Sequence, residues 1–260
     1  MSGGGKSSLD PAHAPRNRSA SSGTLTCVLL DLWDRATTTQ PPLPWQVSLL
    51  LGVLALLLTW SPAGYRLVRH LVTLIHEAGH ALVAALVGRR LTGIQLHSDT
   101  SGVTVSRGRP RGPGMVATVL AGYPAPALVG LGGALLLGQG YAAGLLWALV
   151  LTCALMLVLI RNLYGLWVVA ATGASVALLS WSATGTVLSA AAYLVVWSVL
   201  LAAPRAVVEV QRQRRRGARG SDVDQLARLT GVPGAVWFGL FWLVCVAALV
   251  LGARELVPLS

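Results

Sequence analysis

Two histidines and a glutamate with the spacing His-Glu-x-x-His occur in one apolar stretch, at His76, Glu77 and His80. Residues four apart lie on the same face of an α-helix, so the two imidazoles can bind one tetrahedral metal ion. The glutamate then lies beside the open coordination position, where it can act as a general base on water. The spacing therefore predicts the metal site of a zinc hydrolase, with Zn²⁺ as the cofactor.

The residues around this motif are apolar on every side, which is unusual for a soluble enzyme. Residues 71–88 are mostly Leu, Val, Ile and Ala, a composition typical of a helix surrounded by protein or lipid. A lone histidine on an apolar helix is most often a packed core residue. Ionisable side chains are costly at the bilayer centre, however, and are retained there mainly for function. We therefore expect the chemistry to take place within a membrane.

The composition of the 260-residue chain also indicates a membrane protein. The chain is 54% hydrophobic and 11% charged, against about 25% charged residues in soluble domains, and its mean hydropathy is +0.66. The net charge of +11 is compatible with nucleic-acid binding. The arginines, however, lie in short segments between apolar runs, as the positive-inside rule requires. We therefore expect the lipid bilayer, and not nucleic acid, as the partner of this chain.

Seven apolar runs follow one another, each close to the roughly 20 residues that cross a bilayer. They lie at residues 45–62, 67–88, 114–137, 141–160, 164–181, 184–203 and 233–252. The sequence thus predicts an all-α polytopic membrane protein with about seven transmembrane helices and a membrane-embedded domain at residues 45–253. Residues 1–44 are predicted to be a disordered or amphipathic cytosolic segment, and residues 204–230 a basic cytosolic linker.

The positions of the arginine-rich segments predict the orientation. They follow runs two, four and six, which places them on one side of a seven-span arrangement. The positive-inside rule then predicts a cytosolic N-terminus and a C-terminus outside. Arg66 and Arg69 do not fit, because they would lie on the outer side. Richness in Ala, Gly and Arg with a single lysine, Lys6, is typical of a GC-rich bacterial genome, so we expect the bacterial plasma membrane.

A short cytosolic β-hairpin is predicted directly after the metal-binding helix. Within residues 91–107, two runs with β-branched residues flank the turn sequence Asp99-Thr-Ser-Gly102. An exposed strand edge at this place could hold an unwound segment of a substrate by β-augmentation. The alternative is a plain cytosolic loop that only reverses the chain.

A third protein ligand is expected, because catalytic zinc usually has three protein ligands and an open position for water. The chain has nine Asp and Glu residues. Glu77 is assigned as the base, and four others lie in the tail, before the first run or at the far end. The remaining candidates are Asp99, Glu209, Asp222 and Asp224.

Asp222 is the preferred third ligand. Ser221 can cap a short helix that starts at Asp222, and Gly231-Val-Pro233 ends this helix before the last run. Such a broken element is tolerated at membrane depth where it lines a protein cavity. Asp224 and Asp99 are the alternatives, and His97 is a further nitrogen candidate.

With these residues the chain resembles the site-2 protease superfamily of intramembrane zinc metallopeptidases, specifically a divergent peptidase M50B-like branch. The resemblance covers about residues 70–250 and rests on segments 76–80, 97–104, 121–123 and 221–222. It implies a zinc peptidase that cuts a membrane-protein substrate in or near its transmembrane segment. The superfamily's usual third-ligand motif, an Asn and Pro leading into Leu-Asp-Gly, is absent, and no such aspartate follows Asn162.

The predicted reaction is peptide hydrolysis in regulated intramembrane proteolysis, with Glu77 moving the proton from water to the leaving amine. His97 and Asn162 are the candidate substrate-binding residues. Asn162 could support an oxyanion or clamp the substrate backbone, or else make a hydrogen bond at a helix end. One alternative is a catalytically inactive scaffold or regulator with the same fold. Another is a metal-ion transporter, but the runs other than the second lack the acidic residues and histidines that such a path requires.

Overall fold

A computed structural model of the protein describes Cys27 and residues 30–258. The described residues from Ala36 onward belong to one compact unit. Most of the predicted N-terminal tail lies outside the described residues. After a helical segment at residues 30–37, the elements are α1 (Trp45–Trp60), α2 (Pro62–Leu86), β1 (Arg90–Leu96), β2 (Gly102–Arg107), α3 (Pro113–Leu120), α4 (Pro124–Gly138), α5 (Ala142–Leu159), α6 (Leu163–Ser182), α7 (Gly185–Arg215), α8 (Asp222–Thr230) and α9 (Gly234–Leu256).

Four of these helices, α5, α6, α7 and α9, are long and apolar enough to cross a membrane. Two pairs qualify only when each is taken together, and both are bent. The angle is 99° between α1 and α2 and 58° between α3 and α4. The described chain thus has four to six candidate spans, in agreement with a helical membrane protein. The count of seven stays a prediction, and the predicted run at residues 114–137 is divided into two helices.

Helix α7 lies at the centre of the bundle and contacts α1, α2, α4, α5 and α9. Its fully buried Leu200 and Val207 belong to the main apolar core, which also includes Phe241 of α9. Helix α1 approaches closely at Gly52, where an added Cβ would lie 3.1 Å from the Trp197 ring. Because the helix continues to Arg215, about half of the predicted linker at residues 204–230 is part of α7, and α8 accounts for another nine residues.

One end of the bundle brings the start of α1 and the end of α9 together. The backbone N–H of Gln40 donates to the carbonyl of Gly140 (2.8 Å), and its side-chain oxygen accepts from the N–H of Ala143 (3.1 Å). At the same end, the Glu255 carboxylate of α9 lies beside Gly138 of α4. The start of α1 and the end of α9 therefore lie at the same end of the bundle.

The first turns of α2 and the strand that follows its last turn both lie at the opposite, basic end of the bundle. In its first turns, Tyr65 and Arg69 bind Glu209, near the end of α7. After its last turn the chain enters β1, whose Ile94 pairs with Ile160 at the end of α5. The predicted topology, with a cytosolic N-terminus and a C-terminus outside, is therefore not confirmed. Arg66 and Arg69, which do not fit the predicted orientation, lie in the first turns of α2, at the basic end of the bundle.

The predicted β-hairpin is confirmed. β1 and β2 pair antiparallel, with Ile94 opposite Thr104 and Leu96 opposite Gly102. The other edge of β1 is occupied: the N–H of Arg161 donates to the Ile94 carbonyl (2.9 Å) in a short parallel bridge. Among the described residues, β2 is therefore the outer strand of the sheet.

Candidate metal centre

Helix α2 presents both histidines of the motif to the interior of the protein. Ser61 starts the helix by accepting a hydrogen bond from the N–H of Gly64 (3.1 Å), and Pro62 occupies the first helical position. Since His76 and His80 are one turn apart, their rings meet edge to face, with the two Nε2 atoms 3.1 Å apart. Helical periodicity alone is sufficient to produce this pair.

Helix α8 brings Asp222 to the same point. As the sequence predicts, Ser221 caps α8 and the helix ends at Gly231. The cap is a reciprocal capping box with Asp224, and Gly231 has the left-handed conformation. Asp222 Oδ2 lies 3.2 Å from Nε2 of His76 and 3.2 Å from Nε2 of His80. The three ligand atoms therefore form a nearly equilateral triangle, and this group could hold a metal ion.

The triangle has the dimensions that a small tetrahedral cation requires. Ligand atoms about 2.0–2.1 Å from a tetrahedral zinc ion lie about 3.3 Å from one another. Asp222 Oδ2 is buried, and apart from the two imidazole nitrogens it has no hydrogen-bond partner among the described residues. A buried carboxylate oxygen without a partner is costly, and a bound cation would remove that cost. The residues present therefore fit a divalent metal.

A backbone carbonyl sets the orientation of His80. Nδ1 of His80 lies 2.7 Å from the carbonyl oxygen of Thr118 in α3, and a carbonyl can only accept, so this nitrogen carries the proton. The Nε2 lone pair is then free to face His76 and Asp222. Metal-binding histidines commonly make such a bond with their second nitrogen.

Gly122, in the break between α3 and α4, packs directly against both imidazole rings. A Cβ at this position would lie 2.5 Å from Nε2 of His80 and 2.6 Å from Cε1 of His76, well inside contact distance. Helix α2 also approaches closely at Gly79, where a Cβ would lie 2.5 Å from that of Ala125. The break, absent from the sequence prediction, thus gives the two rings their space.

We expect Gly122→Ala to weaken metal binding by about 10- to 100-fold, the range seen when the support of a metal ligand is lost. The added methyl would displace both imidazoles. Gly132→Ala is the matched control, because nothing lies within 4 Å of a Cβ there and alanine is favourable within a helix. Competition with a chromogenic chelator measures the affinity. Equal affinities of the two variants would contradict the role of Gly122.

Glu77, the predicted base, is 3% exposed and lies in a polar cavity together with His76. The cavity has a volume of about 240 Å³ and is bounded by α2, α7, the hairpin turn and the loop before α8. The Thr104 hydroxyl of β2 donates to Glu77 Oε2 (2.5 Å). Residue Gly102 packs against the same carboxyl group, since a Cβ there would lie 2.6 Å from Oε1.

The structure does not bring the alternative ligands into this group. Asp224 is engaged by Ser221 and by Nε of Arg214 (2.8 Å). Its burial would raise the pKa, but these hydrogen bonds hold the pKa of Asp224 below its ordinary value. Asp99 lies in the hairpin turn, where hydrogen bonds from Ser101 lower its pKa. Both carboxylates thus have structural partners.

The two candidate substrate residues lie at the hairpin. His97 is in the turn, with its Nδ1 3.4 Å from the Ser101 hydroxyl. Asn162 bonds to the backbone of Leu96 with both ends of its amide: Nδ2 donates to the carbonyl (2.6 Å), and Oδ1 accepts from the N–H (3.2 Å). Asn162 precedes α6 but makes no side-chain cap, so it holds the edge of β1.

Sequence reasoning assigned no role to several residues that build the centre. Gly122 lies in a segment that only the resemblance singles out, and Thr104 lies in the predicted hairpin without a predicted role of its own. The ion pair between Arg69 and Glu209 (2.7 Å), on the wall of the cavity, was also missed. No local pattern predicts that pair, because 140 residues separate its members.

Comparison with known proteins agrees with this arrangement. No curated protein and no solved structure matches the chain. A family model described as peptidase M50B-like matches residues 49–252. The matched region includes the histidine pair of α2, the hairpin, the break at Gly122 and Asp222 of α8. The chain therefore belongs to the peptidase M50B-like family.

Proposed function

We propose that this protein is an intramembrane zinc metallopeptidase that hydrolyses peptide bonds of membrane-anchored proteins. The observation that carries the proposal is the convergence of His76, His80 and Asp222 on one point, beside the buried Glu77. Four helices of the bundle are each long and apolar enough to span a membrane. The family match supports a peptidase.

In this proposal the ligands of the ion are His76 Nε2, His80 Nε2 and Asp222 Oδ2. Two imidazoles and one carboxylate are a donor set typical of catalytic zinc, which keeps a fourth position open. When bound, zinc would supply Lewis acidity to a water molecule and to the scissile carbonyl. The protein supplies a fixed triangle of donors and a cavity with room for water.

Glu77 is the proposed general base. It follows His76 directly in α2 and lines the cavity in which a substrate backbone would lie. Its carboxylate takes the proton of the attacking water and delivers it to the nitrogen of the leaving amine. Burial keeps bulk water away from this transfer, and Thr104 and Gly102 hold the carboxyl group on the other side.

The outer edge of β2 is the proposed place for the substrate backbone. Peptide bonds of a helix are internally hydrogen-bonded, so a transmembrane substrate must unwind before hydrolysis, and an added strand satisfies the groups that are freed. Val103 and Val105 are about half exposed, at 49% and 43%, and face away from α2. They leave an apolar surface next to that edge.

We further propose that the basic end of the bundle faces the cytosol of a plasma membrane. The basic residues at this end include Arg69, Arg89, Arg107, Arg161, Arg212, Arg214, Arg215 and Arg216. The positive-inside rule favours the cytosol for such a cluster. The metal centre would then open to the cytosolic side, and the start of α1 and the end of α9 would lie outside.

Removal of the metal tests this function. The purified protein would be mixed in liposomes with a set of single-span membrane reporters, with and without 1,10-phenanthroline. We expect the chelator to abolish release of the reporter domain and added zinc to restore it. A protein that contains zinc but cuts none of the reporters would favour the inactive scaffold. Cleavage that persists after complete metal removal would refute the metallopeptidase.

A further inference from the structure

The hairpin touches the candidate base directly. Thr104 Oγ1 lies 2.5 Å from Glu77 Oε2 and 3.2 Å from the backbone carbonyl of the same residue. A threonine hydroxyl has one hydrogen to donate, and a carboxylate oxygen at 2.5 Å is the stronger acceptor. The short bond therefore goes to the carboxylate, and it fixes which oxygen faces the strand.

Gly102 packs against the Glu77 carboxyl group from the same strand. Residues two apart on a strand face the same side, so Gly102 and Thr104 both face α2. The Cα of Gly102 lies so close that a side chain there would collide with Glu77 Oε1, Cγ and Cδ. Thr104 thus binds the Glu77 carboxylate by a hydrogen bond, and Gly102 restricts its position by close packing.

The hairpin is itself fixed against the protein at two further places. The Thr73 hydroxyl of α2 donates to the Thr100 carbonyl in the turn (2.8 Å). On the opposite edge, Asn162 holds both backbone groups of Leu96. Because β1 and β2 are paired along their length, these contacts fix β2 relative to α2. The Thr104 hydroxyl is therefore presented to Glu77 from a rigid support.

We infer that Thr104 is a positioning residue for the general base, so that the hairpin and Glu77 act as one unit in catalysis. This inference rests on the proposed peptidase function. A free glutamate side chain occupies several rotamers, and only some of them direct an oxygen towards the metal ligands. The bond to Thr104 selects one orientation. A substrate strand added to β2 is thereby placed in register with the base.

Thr104→Val tests this inference, because valine keeps the β-branched shape and removes only the donor. We expect kcat to fall about 10- to 100-fold, as for the loss of a hydrogen bond to a charged group, with KM and zinc content unchanged. Thr104→Ser retains the hydroxyl and should recover kcat to within about threefold of the wild type. A merely structural role would not give this pattern of loss and rescue.

Binding of acetohydroxamate to the zinc-loaded protein gives a second measurement without turnover. A hydroxamate chelates zinc and hydrogen-bonds to the neighbouring carboxylate, so its affinity should fall about tenfold in Thr104→Val and recover in Thr104→Ser. Ser106→Ala is the matched control, because Ser106 lies on the same strand face and bonds to Arg89 and not to Glu77. This variant should keep the wild-type affinity.

The outcomes separate the two proposals. If Thr104→Val has the wild-type kcat and hydroxamate affinity, the inference is overturned and the proposed peptidase function still stands. Equal losses in Thr104→Val and Thr104→Ser would have the same meaning. If the wild type binds zinc but cuts nothing, the peptidase fails, and hydroxamate affinity still decides whether Thr104 sets the carboxylate. A wild-type protein that binds no metal would overturn both.

Discussion

Asp222→Asn is expected to lower zinc affinity by at least about 100-fold. Removal of a residue that only supports a metal ligand already costs about 10- to 100-fold in affinity, and this substitution changes a ligand itself. The amide keeps the shape of the side chain but loses the negative charge that a cation requires from Oδ2. The two imidazoles would remain as neutral ligands 3.1 Å apart. Zinc content after dialysis and chelator competition measure this effect.

Asp99→Asn is the matched control for this variant, since Asp99 was an alternative ligand and lies in the hairpin turn with Ser101 as its partner. Its zinc affinity should equal that of the wild type. Thermal unfolding of the metal-free proteins would show that both variants remain folded. Full zinc affinity in Asp222→Asn, or a loss confined to Asp99→Asn, would show that the third ligand is a different residue.

Glu77→Gln is expected to lower the turnover of a cleaved membrane reporter by about 10²- to 10⁴-fold, the contribution usual for general acid–base catalysis. The amide cannot accept a proton from water, yet its oxygen can still accept the hydrogen bond from Thr104. The zinc content should stay at the wild-type level, because Glu77 is not one of the three converging ligands. A single-turnover assay with equal zinc loading gives the comparison.

Glu255→Gln provides the control, because this exposed glutamate lies at the opposite end of the bundle, beside Gly138. It should cleave the reporter at the wild-type rate. Undiminished cleavage by Glu77→Gln would remove Glu77 from the mechanism. A loss of zinc together with activity would instead show that the substitution disturbs the ligands.

Sequence periodicity was sufficient for the local parts of the centre. The pairing of His76 and His80 follows from 3.6 residues per turn, whatever surrounds the helix. The start of α8 at Asp222 follows from the capping propensity of Ser221, and its end follows from the left-handed Gly231. In each case the controlling residues lie within a few positions of one another.

The path of α2 could not be read from hydropathy. Residues 67–88 have the length of a span, and a window average contains no information about direction. The direction was decided by Glu209, which binds Tyr65 and Arg69 from α7 and keeps the start of α2 at the basic end. This contact joins residues 140 positions apart, so no local hydropathy pattern encodes it.

The sequence by itself determined a helical membrane protein with two imidazoles on one helix face, a neighbouring carboxylate, a hairpin and a capped acidic helix. Only the tertiary structure decided that Asp222, and neither Asp224 nor Asp99, reaches the imidazoles. It also decided that the Thr118 carbonyl orients His80 and that Thr104 holds Glu77. These contacts join residues 27 to 146 positions apart, and such distances are closed by packing between elements, which no local propensity encodes.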